Sequence, residues 1–310
     1  MPRNDEKSMA NLYQYQSSNI HRTWLLFAVF FVVVMGLGYV FSMVYGDPNI
    51  IIFAGIFTVV YSLISYYSSA SIALSLARAR EIQKSDNPDL WNVVENLTIT
   101  AGLPMPKLYI TPEMQINAFA TGRDAKHAAV AVTEGALQRL NKTELQGVLA
   151  HELSHIGNRD ILVSTVAAIL AGIISLIADI FLRSLFFGGM GRGRGRNNET
   201  GEIFFIVAIV LSILAPIGTM LIQLAISRRR EALADASGVL LTRYPEGLIS
   251  ALRKIEADNV PMASAKDSTA HMWIDNPFKG NQTSWWHKLF MTHPPIEERI
   301  AALQKIEGGA

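Results

Sequence analysis

Apolar and polar positions divide the chain into long hydrophobic runs and shorter mixed segments. Residues 24–44 form an apolar run of about 20 residues, enough to cross a bilayer. Residues 50–77 form a second, with Ser and Tyr mixed in. Gly46-Asp47-Pro48-Asn49 between them predicts a tight turn, so the two runs make a hairpin. Residues 161–182 and 203–226 are a third and a fourth run, and they predict a second hairpin.

The mixed segments carry shorter periods. Asn87-Pro88-Asp89 reads as an N-cap, a proline at N1 and an acidic first turn. Leu90, Trp91, Val94 and Leu97 then line one helical face, and Gly102 is a fitting stop. Strand-like runs follow at Lys107–Thr111, 116–121 and Ala128–Thr133, with a turn at Gly122–Asp124. Asn141 and Glu144 fit a capping pair that opens another helix. Helical spacing returns at 246–258 and at 294–306, the latter through Ile296, Ile300, Leu303 and Ile306. The stretch 259–290 is polar, bears tryptophans and has no clear period.

Composition narrows the class. Half of the 310 residues are hydrophobic and only 17% are charged, which is low for a soluble domain. There is no cysteine, so disulfides and thiolate metal sites are excluded, and a transition metal must use His, Asp or Glu. The net charge of +1 points to no nucleic-acid partner. The first apolar run is too long for a secretory signal, has mixed charges before it, and has no small-x-small cleavage site after it. A retained anchor is expected.

Basic flanks give the orientation. Arg3, Lys7 and Arg22 precede the first run, and Arg78, Arg80 and Lys84 follow the second, whereas the turn between them holds Asp47 and no basic residue. Both flanks are expected in the cytoplasm. The chain then divides into a cytoplasmic tail (1–22), a first hairpin (23–77), a cytoplasmic part (78–160), a second hairpin (161–226) and a second cytoplasmic part (227–310). Arg183, Arg192, Arg194 and Arg196 in the connection of the second hairpin oppose export, and Arg228–Arg230 oppose it at the far end. That hairpin either crosses fully or enters and returns; in both cases its two ends share a face.

The chemistry lies in "VLAHELSHIGNRD", 148–160. On a helix His151 and His155 point the same way and can both reach one metal ion, although two surface histidines on a capped helix would have the same spacing. Glu152, beside the first, faces a water on that ion as general base, the H-E-x-x-H arrangement. A catalytic ion needs a third protein ligand and an open position. "SRRREALADASG", 227–238, offers Glu231 and Asp235, again four apart. Glu231 follows the fourth run as His155 precedes the third, and an antiparallel hairpin brings those points together.

These segments, with "NAFATG" (117–122) and "THPPIEERI" (292–300), resemble the HtpX-type membrane zinc metalloproteases, whose superfamily also holds the CAAX prenyl endopeptidases. The resemblance covers nearly the whole chain. It implies an α-helical integral membrane protein with an α+β, zincin-like (gluzincin) domain and four hydrophobic helices. It implies one Zn2+ held by His151, His155 and Glu231, with Glu152 as base and Asp235 fixing a ligand histidine through its other ring nitrogen. The implied role is stress response and protein quality control at the cell membrane. The resemblance also implies an active site that faces the cytoplasm and acts on misfolded or damaged membrane proteins. His293 and Arg299 are candidate donors to the oxyanion. Asn117, Ala118, Phe119 and Ala120 are expected to form an edge strand that pairs with extended substrate.

Two rival classes are weaker. A catalytically inactive scaffold stabilised by zinc needs ligands but no base, and Glu152 is intact. A transporter needs more ionisable groups in its spans than the few present, of which Asp179 is expected at the interface.

Overall fold

The computed structural model describes residues 3–189, 228–264, 269–278 and 294–307. The fourth apolar run and His293 lie outside the described residues.

Helix α1 (Arg3–Tyr45) begins well before its apolar section and passes through it without a break. Gly46, at φ 67°, turns the chain, and Asp47 Oδ1 accepts from Asn49 N at 2.9 Å. Helix α2 (Asn49–Leu76) returns. Residues Asn19–Met43 and Asn49–Leu76 are both long and apolar enough to cross a membrane, so the first expected hairpin is present. The third run is also helical, as α6 (Ile161–Gly189). Its first half is buried in the molecule: Val163, Val166, Ala167, Leu170 and Ile174 pack with Leu26, Phe30 and Val34 of α1 and Ala54 of α2. The described residues therefore give two span-length helices, and a third that starts wedged against them.

The mixed segments form one four-stranded sheet and a helical layer. β1 (Arg80–Ile82), β2 (Lys107–Thr111), β3 (Ala118–Gly122) and β4 (Ala128–Thr133) are ordered β1-β2-β4-β3. β2 and β4 are parallel, and the outer pairs are antiparallel. Three of these strands match the sequence expectation, β3 starting two residues later than expected. β1 was not anticipated: Arg-Glu-Ile is too short and too charged to show alternation, and pairing with β2 defines it.

Local capping explains the helices. In α3 (Pro88–Ala101) the Asn87 side chain accepts from Leu90 N, and Gly102 ends the helix in the left-handed region at φ 64°. α4 (Glu134–Arg139) is a short turn after β4. α5 (Lys142–Gly157) opens on a complete capping box of Asn141 and Glu144. α7 (Arg228–Thr242), α8 (Pro245–Ala257) and α9 (Ile296–Glu307) complete the layer. Leu90 and Val94 of α3, Leu149 and Leu153 of α5, Val130 and Val132 of β4, Leu252 of α8 and Leu303 of α9 share one core. α5 runs through its centre.

At the end of α5 the chain bends by 86° into α6. Three residues make this elbow. Asn158 caps α5, Arg159 takes a left-handed φ of 57°, and Asp160 N donates back to His155 O at 2.9 Å. The helix that carries the histidines is thereby joined rigidly to the helix beside the hairpin.

Candidate metal centre

The spacing of α5 sets His151 and His155 side by side, Nε2 to Nε2 at 3.2 Å. His151 is fully buried and His155 half-buried. Glu231, in the first turn of α7, brings Oε2 to 3.7 Å from His151 Nε2 and Oε1 to 3.7 Å from His155 Nε2. A tetrahedral ion with bonds of about 2.0–2.1 Å holds neighbouring ligand atoms about 3.3 Å apart. The triangle of two imidazoles and a carboxylate therefore fits a metal ion, and these residues form a ligand cluster. α7 reaches them because Gly238 lies against the α5 backbone. A Cβ there would stand 3.0 Å from His151 N, tighter than side chains normally tolerate.

Each ligand ring is held from behind. His151 Nδ1 lies 2.8 Å from Asp235 Oδ1, the contact expected for Asp235. His155 Nδ1 lies 3.1 Å from Asp160 Oδ2. The sequence reading missed Asp160. Its signal was its place directly after the broken helix, five residues past a ligand. Arg299, on α9, does not reach the cavity at the cluster. Its guanidinium grips Asp235, Nε to Oδ2 at 2.9 Å and Nη2 to Oδ1 at 2.6 Å, and Nη2 stands 3.4 Å from His151 Nδ1. The arrangement commits the guanidinium to Asp235 beside the His151 ring, with Nη2 also 3.5 Å from His151 Nε2.

The electrostatics follow. Burial pushes His151 down to about 4, helped by the charge of Arg299 and opposed by Asp235. Burial also acts against a charged His155, but Glu231 and Asp160 outweigh it and raise that ring to about 9. Burial alone would raise Asp235; Arg299 and His151 overcome it and hold the carboxyl well below the usual range.

Glu152 is buried beside His151 and lines a small cavity with Ala120, His155, Asp160, Ile161, Ser164, Glu231, Met272 and Ile274. Its volume of about 30 Å³ has room for about two water molecules. A much larger groove, about 780 Å³, runs between α1 and α2 past Trp24, Phe27 and Tyr66, and contains none of the ligands or the base.

β3 is an edge strand, as expected, but its outer edge is partly covered. Asn117 O accepts from Thr133 N of β4, so 117, 119 and 121 face the sheet and 118 and 120 face outward. Ala118 O accepts from Ile274 N at 3.1 Å. The buried Asn117 amide clamps Asp275, with Nδ2 donating to its O at 3.0 Å and Oδ1 accepting from its N at 3.3 Å. Trp273 packs edge-on to Phe119, centroids 4.6 Å apart. Ala120 borders the cavity at Glu152.

Residues 84–307 match the model of peptidase family M48. The chain belongs to that family. It is 46% identical over 297 residues to a protein named Protease HtpX homolog from Caldanaerobacter subterraneus subsp. tengcongensis, covering 95% of this chain and 98% of the relative. The Protease HtpX homolog of Lactobacillus helveticus is 47% identical, with 95% and 100% covered. That of Thermococcus kodakarensis is 46% identical, with 92% and 95% covered. Among solved structures, S. mikatae Ste24p shares the fold at a TM-score of 0.51 and 17% identity, covering 95% of this chain and 67% of that one. Family membership, the ligand cluster and two span-length helices agree on one class, a membrane metalloprotease.

Proposed function

We propose that this chain is a zinc-dependent endopeptidase of the cell membrane whose active site faces the cytoplasm. The observation that carries the reading is the arrangement of Glu152: a buried carboxylate next to a three-ligand triangle, opening on a water-sized cavity bordered by an edge strand. A purely structural metal site needs no such base.

His151, His155 and Glu231 would hold a zinc ion, which when bound would lower the pKa of a water to about 7 and polarise a peptide carbonyl. The protein does the rest. Ala120 presents its outward N–H and C=O to an extended substrate, setting the scissile bond beside Glu152. Glu152 accepts the proton of the attacking water and returns it to the leaving nitrogen. Asp235 and Asp160 hold the two rings in one tautomer, with Nδ1–H directed at a carboxylate and the Nε2 lone pair at the ion. Arg299 holds Asp235. His293 stays a candidate donor to the oxyanion.

Main-chain pairing favours unfolded segments over one sequence. Together with the membrane hairpin, this supports misfolded or damaged membrane proteins as the substrate class, and a role in quality control under stress. The basic flanks of the hairpin support the cytoplasmic orientation. The test is proteolysis of an unfolded substrate by the purified chain in detergent. Zinc should support cleavage, a chelator should abolish it, and zinc should restore it. Cleavage that persists in chelator rejects the reading.

A further inference from the structure

Asn19 is a buried amide on α1, one turn before the apolar section opens at Trp24, and neither the ligand cluster nor the base includes it. Its side-chain hydrogen bonds to the described residues are long-range. Nδ2 donates to Asp160 Oδ1 at 2.5 Å and to Asn158 O at 3.1 Å. Oδ1 accepts from Arg230 Nη1 at 3.3 Å. One side chain thus joins the end of the histidine helix, the carboxylate behind His155, and the residue next to Glu231.

We infer that Asn19 is a positioning residue for the metal centre, acting through Asp160 on His155. Asp160 has one oxygen for each partner: Oδ2 faces His155 Nδ1 at 3.1 Å, and Oδ1 meets Asn19. A carboxylate is planar, so pinning Oδ1 fixes the direction in which Oδ2 accepts. That direction sets the tilt of the His155 ring and the aim of Nε2 at the ligand triangle. Arg230 stands 3.9 Å from the same Oδ1 and is anchored in turn by Asn19, so the backbone that offers Glu231 is held from the same point. Asn19, Asp160 and Arg230 are all buried, where a lost partner is not replaced by water. A neutral amide suits this place: it donates to the carboxylate and accepts from the arginine at once, which neither a carboxylate nor an ammonium does. The first membrane helix is thereby mechanically part of the metal site.

This inference rests on the proposed metal site, and the experiment separates the two. Purify the full chain, Asn19→Leu, Asn19→Ala, Asp160→Asn and the double variant Asn19→Leu/Asp160→Asn in detergent. Measure Zn2+ affinity against a competing chelator dye, and record the visible spectrum with Co2+ in place of zinc. Asn19→Leu, close in size, is expected to weaken Zn2+ binding about 10-fold, at the low end for loss of a partner behind a ligand. Its Co2+ bands should shift, since ligand geometry changes. The double variant should bind little worse than Asp160→Asn alone, because both act on one path. A wild-type chain that binds no Zn2+ removes the metal reading itself. Wild-type binding with unchanged affinity and spectrum in the Asn19 variants overturns the positioning role alone, as does full additivity in the double variant. If Asn19→Leu does not accumulate, Asn19→Ala gives the same readings.

Discussion

His151 Nδ1 lies 2.8 Å from Asp235 Oδ1, and Arg299 grips that same carboxylate through two nitrogens. The buried ring of His151 is thus aimed by a side chain four residues beyond Glu231 on another helix. Asp235→Ala should lower Zn2+ affinity by about 10–100-fold and leave Arg299 buried without its countercharge. Chelator competition measures the first effect, and a lowered melting temperature of the metal-free protein the second. Unchanged affinity rejects the orienting role of Asp235.

Glu152 and Glu231 are expected to fail in different ways. Glu152→Ala removes the base and leaves the three ligands, so it should retain Zn2+ yet lose about 10²–10⁴ in turnover. Glu231→Ala removes one corner of the triangle and should lose the metal itself. Metal content by elemental analysis, beside cleavage of an unfolded protein, separates the two. Full turnover in Glu152→Ala would falsify the mechanism.

Ala120 offers an unusually clean test of strand pairing. Its N–H faces away from β4, so Ala120→Pro removes a donor to substrate without removing a rung of the sheet. The expected effect is a fall in kcat/KM of about 5–10-fold, the worth of one hydrogen bond, with Zn2+ content unchanged. If kcat/KM holds while the protein stays folded, substrate does not pair at this edge.

Glu144 links stability to pH. Burial alone would raise its carboxyl, but hydrogen bonds from Lys254, the Asn141 N–H and Ser250 outweigh that and lower it. The folded value lies below the unfolded one of about 4.3. The stabilisation is therefore present above that pH and lost as pH falls through the folded value. Glu144→Gln should cost about 1–3 kcal/mol at neutral pH, and the gap to wild type should close on acidification below about pH 4. Melting curves of the two metal-free proteins between pH 7 and pH 3 test this. A gap that does not change with pH removes the assigned charge role.

Orientation can be read with single thiols, since the chain has no cysteine. Asn49, the first residue of α2 beside the turn, and Ile99, on α3, are both exposed. An impermeant maleimide applied to intact cells should label Asn49→Cys and leave Ile99→Cys unlabelled until lysis. Labelling of Ile99→Cys in intact cells overturns the cytoplasmic site.

Features written in neighbouring residues were legible in the sequence. The caps at Asn87 and Asn141, the Gly102 stop and the i, i+4 histidines each depend on contacts within one or two turns. The meeting of Glu231 with the two histidines was legible too, because two apolar runs of similar length imply ends that meet. Contacts between distant segments were not. Asn19 reaches Asp160 over 141 positions, and no local pattern marks either residue as its partner. Arg230 carried a topological meaning as one of three flanking arginines, yet it is buried at the site. Arg299 was read as a candidate contact to substrate because its motif was visible while its countercharge, 64 positions away, was not.

The elbow at residues 158–160 leaves the chain no slack. Asn158 must close one helix, Arg159 must turn left-handed, and Asp160 must reach back to the ring five residues earlier while its own carbonyl starts the next helix. One residue more or fewer would rotate Asp160 off His155 and swing α6 away from the hairpin together. Surface loops tolerate insertions because their ends stay put as they lengthen. Here the number of residues between the second histidine and the following helix is itself part of the site's geometry, and a change of length would disturb that geometry even with His151, His155 and Glu231 retained.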